Sequence, residues 1–320
     1  MNLLIQFAFI AVGLVLLAKA ADQFVLGAAR IALVARISAV VVGAVVVGFG
    51  TSAPEMLVSG VAAWQGDAEV GIGNVVGSNV ANLTLVLGAA VLIIPIGISG
   101  SVLRKETPLM VGSVLLFAWF VQGGITPIEA AVLLAALAVA LFLLIKTGGA
   151  APDPELEREV AEFTDRAHLP RMRVEVIRTV AGLVGTVVGA QLLVTGAVNV
   201  ADEWGLSGGF VGFTLVAIGT SLPELVTAVA AARAGEPDLI VGNLLGSNLF
   251  NSLAVGAVLA LAGTTDLDAP RLLGVGVMSM IAVALGVWVL MITGRRLTRW
   301  EGAFLLLTYA GAVVLIGPSG

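Results

Sequence analysis

Cysteine is absent from the 320-residue sequence, and charged residues make up only 12% of it. Without cysteine the chain forms no disulfide and has no thiolate chemistry. The sole histidine, His168, lies in a polar stretch, so a soft transition-metal site is not predicted. The formal net charge of −5 argues against a nucleic-acid partner. Because a soluble domain has about 25% charged residues, the shortage of charge excludes an ordinary soluble protein.

Long apolar runs are abundant instead. Hydrophobic residues account for 59% of the chain, and the mean hydropathy is +1.08. Runs of about 20 residues can cross the apolar layer of a lipid bilayer. The sequence therefore predicts an all-α polytopic membrane protein with ten transmembrane helices. These are predicted over residues 3–29, 37–63, 70–95, 107–121, 125–145, 174–200, 208–232, 239–262, 272–293 and 300–317. The first is not a signal peptide, since no Lys or Arg precedes it.

Basic residues predict the orientation of the chain. If the N-terminus is outside, every Lys and Arg except Lys19 and Arg271 falls in or beside an inner loop, whereas Asp67, Asp202 and Asp266 lie in outer loops. Positive residues collect on the cytoplasmic side of membrane proteins. We therefore expect a protein of the cell (plasma) membrane with both termini extracellular and the polar loop 147–173 cytoplasmic.

The sequence contains an internal repeat. GFGTSAPEM at 48–56 recurs as AIGTSLPEL at 217–225, and GNVVGSNVAN at 73–82 recurs as GNLLGSNLFN at 242–251. Both pairs are separated by 169 residues, since 48 pairs with 217 and 73 with 242. Each half contains five predicted spans, and an odd number reverses the direction of the second copy. This predicts inverted repeats at 1–146 and 174–320 joined by the linker 147–173, an architecture of secondary transporters with a site near the bilayer midplane.

Glu55 and Glu224 lie inside apolar runs, within the first motif of each half. An ionised carboxylate in hydrocarbon is expensive unless it faces a partner or a cavity. The only cation predicted within a span is Lys19, and Asp22, three residues on, is its expected partner. The glutamates are therefore expected to bind a cation from outside the protein. A buried, protonated structural role is the alternative.

Neighbouring residues supply further oxygen ligands. Pro54 and Pro223 cannot donate a backbone hydrogen bond, which frees carbonyls one turn earlier in the helix. Helical spacing places four pairs on shared faces: Thr51 with Glu55, Ser78 with Asn82, Thr220 with Glu224, and Ser247 with Asn251. Hard oxygen ligands suit Ca²⁺, and they suit Na⁺ as well. Each hydroxyl singly is also explained as a local helix contact, and Asn74, Asn79, Asn243 and Asn248 are equally well explained as ties between helices.

The two copies of G-T-S-x-P-E and of G-N-x-x-G-S-N-x-x-N resemble the alpha-repeats of the sodium/calcium exchanger family, within the cation/calcium antiporters. The resemblance covers nearly the whole chain and is to compact prokaryotic members. It implies electrogenic Na⁺/Ca²⁺ antiport by alternating access, with spans 1 and 6 as gates. It also implies an ion site formed by Glu55, Glu224, Thr51, Thr220, Ser52, Ser221, Ser78, Ser247, Asn82, Asn251 and the carbonyls of Gly48 and Ala217.

The same motif residues bear on three other possible functions: K⁺-coupled exchange, proton/calcium exchange and a cation channel. Related potassium-dependent exchangers carry Asp where this chain has Asn82 or Asn251, so K⁺ coupling is not expected. Proton/calcium exchange remains an alternative, although the acidic residue that such relatives carry after the Gly-Asn is missing. A cation channel is an alternative from another class. No enzyme, cofactor or obligatory protein partner is predicted, because no span contains a histidine or a pair of aspartates.

The predicted orientation can be tested with single cysteines, because the chain has none of its own. We expect Val160→Cys in the linker to resist an impermeant thiol reagent added to intact cells, and to react once the membrane is permeabilised. Asp266→Cys in a predicted outer loop should react in intact cells. Labelling of position 160 from outside would overturn the orientation.

Overall fold

The computed structural model shows a chain that is almost wholly helical, which confirms the predicted all-α class. It describes residues 3–34, 39–100, 102–147, 172–235, 237–262 and 269–318. Within these ranges the side chains at 21, 22, 25, 28, 29, 32–34, 39–51, 145, 147, 230, 234, 238 and 239 are not described. Most of the predicted linker, with His168, and the side chain of Asp22 therefore lie outside the described residues.

The first half comprises five helical segments. They are α1 (Leu3–Val34), α2 (Ala39–Gln65), α3 (Ala68–Ala81, a π-turn at Asn82–Val86, then Leu87–Ile93), α4 (a π-turn at Val102–Glu106, then Thr107–Val121) and α5 (Pro127–Thr147). Strand β1 (Ile96–Gly97) follows α3.

The second half has matching segments. They are α6 (Met172–Trp204), α7 (Gly208–Val211, a π-turn at Gly212–Val216, Ala217–Thr220, then Leu222–Ala234), α8 (Pro237–Phe250, a π-turn at Asn251–Val255, then Gly256–Ala262), α9 (a π-turn at Leu272–Gly276, then Val277–Gly294) and α10 (Arg299–Ile316). Strand β2 (Arg296–Leu297) pairs antiparallel with β1 and joins the two halves.

The bounds of α3 and α8 reproduce the offset of the sequence repeat. The starts of their three parts pair as 68 with 237, 82 with 251 and 87 with 256, and each pair differs by 169. In both helices the π-turn begins at the last asparagine of the second motif, Asn82 or Asn251. The repeated motif therefore specifies the same local backbone twice.

Seven helical stretches within the described residues are long and apolar enough to cross a membrane, or eight if the bent helix α7 counts as one span. The seven lie at predicted spans, and a multi-pass membrane protein is confirmed. Helix α4 has only 15 regular α-helical residues, and part of α2 has undescribed side chains. The total of ten spans, their inversion and the domain limits remain predictions.

Helices α3 and α8 are the most deeply buried of these stretches. Their apolar side chains belong to the main hydrophobic core, together with residues of α4, α9 and α10. A second, smaller core joins α1 and α6 to parts of α2 and α7. The second motif of each half is thus placed in the interior of the protein rather than against lipid.

Helices α1 and α6 make the most extensive helix-to-helix contact in the described chain. Glycines bring their backbones together: a Cβ atom on Gly189 would lie 2.6 Å from the Leu17 nitrogen, and one on Gly13 would lie 2.7 Å from the Leu193 nitrogen. Small residues allow this approach in lipid, where van der Waals packing holds helices together. The two helices therefore form a closely packed pair.

A cluster of ion pairs links helices α1 and α6 at one end of their contact. Arg30 Nη1 lies 3.3 Å from Glu175 Oε1, and Arg178 Nε lies 3.1 Å from Glu175 Oε2. Arg178 also donates to Gln23 Oε1 at 3.1 Å. The hydropathy pattern assigned Arg30 to a loop, and this was wrong: Arg30 lies within α1 and is only 8% exposed. The helix continues past the apolar run because Glu175 neutralises the buried guanidinium.

We predict that Gly189→Ala destabilises the protein, because the added methyl group has no room against Leu17. Overpacking of this kind costs about 1–3 kcal/mol, which should lower the melting temperature in detergent. Gly286→Ala is the matched control, since a Cβ there meets nothing within 4 Å. Equal melting temperatures for both variants would contradict the close packing of α1 and α6.

Candidate functional site

Both motif glutamates are fully buried, and each lies next to a proline. Helix α2 continues through Pro54, so Glu55 lies within a regular helix. Helix α7 instead breaks at Ser221, and Glu224 lies in the first turn of its second part, which is tilted by 42° from the first. The two halves therefore present their carboxylates from different local backbones.

The carboxylates have few partners among the described residues. Ser221 donates to Glu55 Oε1 at 3.4 Å, whereas Glu55 Oε2 and both oxygens of Glu224 are buried without a hydrogen bond. Glu55 and Glu224 are close enough to interact electrostatically. Burying an unpaired ionised group is strongly unfavourable. A cation bound between them would remove both the desolvation penalty and the mutual repulsion.

The last asparagines of the second motif add neutral oxygens. Asn82 and Asn251 are fully buried, and each begins a π-turn. Such π-turns within α-helices are frequent at functional sites. Asn82 Oδ1 and both amide atoms of Asn251 lack a hydrogen-bond partner in the described part of the chain, as does the buried Ser52 hydroxyl. Each half thus contributes unpaired oxygen atoms in addition to its carboxylate.

Other predicted ligands are engaged with protein groups. Thr220 Oγ1 donates to Asn74 Oδ1 at 3.0 Å. Ser78 Oγ lies 3.5 Å from Asn74 Oδ1 and 3.5 Å from Thr220 Oγ1. The Ala217 carbonyl accepts from the Ser221 backbone at 3.0 Å, so an ion would have to share or replace that bond. Ser247 lies beside Glu224. Hydroxyl oxygens that donate their hydrogen keep lone pairs for a cation.

Asn74 ties α2, α3 and α7 together. Its amide donates to the Glu55 carbonyl at 3.3 Å and to Ser59 Oγ at 2.9 Å, while its oxygen accepts from Thr220. Ser59 was not singled out from the sequence, although it lies one helical turn after Glu55 and the spacing alone could have found it. Asn74 therefore links helices, which is one of the two roles expected for the motif asparagines.

The surroundings of two predicted ligands, Gly48 and Thr51, are not described, because both residues fall in the range 39–51. The other predicted ligands lie on α2, α3, α7 and α8, and the contacts among them join Glu55 to Ser221 and Ser78 to Thr220. Close approach of α3 to α7 depends on Gly73, where a Cβ atom would lie 2.6 Å from the Gly209 carbonyl oxygen. This contact explains Gly73 but not its counterpart Gly242, where a Cβ atom would meet nothing within 4 Å.

The oxygen atoms of the candidate site suit a hard cation that binds reversibly. Its atoms are carboxylate, amide and hydroxyl oxygens, and Ca²⁺ binds 6–8 such oxygens. Among the described residues no cluster of three or more His, Cys, Asp or Glu side chains is present. Affinity for Ca²⁺ is tuned by the number of charged ligands. Two carboxylates neutralise one divalent ion. They do not add the further negative ligands found in proteins that bind Ca²⁺ tightly.

Buried oxygen-rich side chains in two repeated halves, within helices long and apolar enough to cross a membrane, are typical of a cation transporter. The family model described as sodium/calcium exchanger protein matches residues 5–146 and 175–317. The chain belongs to the sodium/calcium exchanger family and is a cation/calcium antiporter by class. The resemblance carried by the two motifs is confirmed.

Several relatives are similar over their whole length. CaxA of Alkalimonas amylolytica is 37% identical over 99% of this chain and 100% of its own. The sodium/calcium exchanger MaX1 of Methanosarcina acetivorans is 30% identical over 98% of each chain. A solved structure of the sodium-calcium exchanger NCX_Mj, soaked with 2.5 mM Na⁺ and 10 mM Sr²⁺, has a TM-score of 0.65 at 31% identity, covering 98% of this chain and 99% of that one.

We predict that Glu55→Gln or Glu224→Gln abolishes Ca²⁺ transport while the protein stays folded. A charge contact at ~4 Å with an effective dielectric of about 20 is worth about 4 kcal/mol, or roughly a thousandfold in affinity. The measurement is ⁴⁵Ca²⁺ uptake into proteoliposomes, with monodispersity as the check on folding. Glu203→Gln, at an exposed position, is the control. A folded Glu55 or Glu224 variant with wild-type uptake would remove that residue from the site.

Proposed function

We propose that this protein exchanges Na⁺ for Ca²⁺ across the cell membrane, electrogenically and without K⁺, by alternating access between two inverted repeats of five spans each. The observation that carries the proposal is the pair of buried carboxylates, Glu55 and Glu224, which have no cationic partner among the described residues. The names of its relatives support Na⁺ and Ca²⁺ as the transported ions. One site would bind either ion in turn.

Charge balance sets the expected electrical behaviour. Two ionised glutamates neutralise one Ca²⁺, whereas three Na⁺ ions on the same pair leave one surplus positive charge. Exchange of three Na⁺ for one Ca²⁺ therefore moves net charge across the membrane. The remaining ligands are neutral: the oxygens of Asn82 and Asn251, the hydroxyls of Ser52, Ser221, Ser78, Ser247, Thr51 and Thr220, and the carbonyls of Gly48 and Ala217.

The asparagine pair supports independence from K⁺. Asn82 and Asn251 are both buried at the site, and an amide offers an oxygen but no charge. An aspartate at either position would add a negative charge that could balance K⁺ bound together with Ca²⁺. Because both positions carry asparagine, the chain offers no additional ligand charge for K⁺.

Helices α1 and α6 are the proposed gate. They pack far more extensively against each other than against the rest of the protein, and glycines line their contact. A pair held in this way can slide as one unit past α2, α3, α7 and α8. Both termini are proposed to be extracellular and the linker cytoplasmic.

We predict that an outward Na⁺ gradient drives ⁴⁵Ca²⁺ uptake into proteoliposomes and that uptake responds to membrane voltage, because net charge moves. Replacing K⁺ by choline on both sides should leave the rate unchanged. An outward H⁺ gradient at equal Na⁺ should drive little uptake.

Each contrary result identifies a different function. Uptake driven by H⁺ alone would establish proton/calcium exchange. Loss of uptake without K⁺ would show that K⁺ is transported as well. A channel would give no stimulation of ⁴⁵Ca²⁺ uptake by unlabelled Ca²⁺ on the opposite side, whereas an exchanger would.

A further inference from the structure

Asn248 of α8 reaches across to α3 of the other repeat. Its amide nitrogen donates to the backbone carbonyl of Asn79 at 3.1 Å, and its Oδ1 accepts from Asn82 Nδ2 at 3.1 Å. All three residues are at most 1% exposed. Asn82 belongs to the candidate ion site, whereas the sequence left Asn248 equally well explained as a ligand or as a tie between helices.

The chemistry of these two bonds fixes the orientation of both amides. A backbone carbonyl can only accept, so Asn248 must turn its nitrogen toward Asn79 and its oxygen toward Asn82. Asn82 must then present its nitrogen to that oxygen. Its own Oδ1 is left on the opposite side of the amide, buried and without a partner in the described residues. Of the two amide atoms only this oxygen can bind a cation.

The other half of the repeat lacks this arrangement. Asn79 is the counterpart of Asn248, since 79 and 248 differ by the repeat offset of 169. Its amide donates instead to the Val75 carbonyl of its own helix at 2.8 Å, and its oxygen accepts from Ser252 at 3.4 Å. Neither amide atom of Asn251, the counterpart of Asn82, has a partner among the described residues. The pseudo-symmetry of the sequence is broken at this point.

We propose that Asn248 is a positioning residue that holds the amide of Asn82 with its Oδ1 toward the transported cation, an inference that rests on the function proposed above. Asn248 itself does not touch the ion. Without it the Asn82 amide is free to rotate by half a turn, which presents an N–H to the cation in place of an oxygen. The amide of Asn82 is then held in one orientation before the ion binds, whereas no hydrogen bond in the described structure fixes the amide of Asn251.

The test compares variants by their KM for Ca²⁺ in Na⁺-driven ⁴⁵Ca²⁺ uptake. Asn248→Ala should raise KM roughly three- to tenfold, the range that a single neutral hydrogen bond is worth, with a smaller change in maximal rate. Asn79→Ala is the matched control, because it removes an equally buried amide whose hydrogen bonds are to Val75 and Ser252. Its KM should stay within about twofold of wild type, well below the effect of losing that bond.

A second comparison separates positioning from general damage to the fold. In an Asn82→Ala background residue 82 has no amide to orient, so Asn248 has nothing left to position. Adding Asn248→Ala should then leave KM unchanged. An equal rise of KM in both backgrounds would show a merely structural role and overturn the proposal, as would a wild-type KM for Asn248→Ala alone. Asn248→Leu, which keeps the volume, replaces the alanine variant if that one does not fold.

Failure of the proposed function gives a different result. If the wild-type protein shows no Na⁺-driven uptake, the exchange proposal falls, whatever the variants do. The wild type and the variants are then compared by equilibrium binding of ⁴⁵Ca²⁺ to purified protein. Weaker binding to Asn248→Ala than to Asn79→Ala, with no further loss when Asn248→Ala is added to Asn82→Ala, would still support the positioning role, and equal binding would end it.

Discussion

Two carboxylates buried together without a basic residue are the constraint on which the centre of this protein depends. Glu55 and Glu224 are both fully inaccessible, and three of their four oxygens have no hydrogen bond in the described structure. Unpaired charge in a low-dielectric interior is tolerated only if something neutralises it. Among the described residues the surrounding side chains offer oxygen atoms and no cation, which supports the proposal that a transported ion supplies the neutralising charge.

Hydrogen bonds around the site hold the protein together when that ion is exchanged. Asn74 links α2, α3 and α7 through Glu55, Ser59 and Thr220, and Asn248 links α8 to α3. These bonds use amide and hydroxyl groups and leave the carboxylates largely free. A buried polar network with satisfied members fixes a unique arrangement of helices. In the proposed exchange the ligands would therefore lose their ion without loss of the helix contacts that position them.

The sequence was informative wherever a residue type and a spacing sufficed. The repeated motifs located Glu55, Glu224, Asn82 and Asn251, and apolar length located the helices. What depends on contacts between distant segments could not be predicted. The pairing of Arg30 with Glu175 joins positions 145 apart, and the bond of Asn82 to Asn248 joins positions 166 apart. No local pattern distinguishes Asn248 from Asn79, because the motif is identical and only packing makes their bonds differ.

The predicted ligands and the proposed gate lie on different helices. Every described residue of the candidate site lies on α2, α3, α7 or α8, and the deeply buried α3 and α8 anchor the main core. Helices α1 and α6 contribute no predicted ligand, and their tightest contacts are with each other. The glycine contacts and the Arg30–Glu175 ion pair hold the two helices together, which supports the proposal that they shift as a body past the site. In the proposed exchange, access to the ions would then change sides without remaking the ligands.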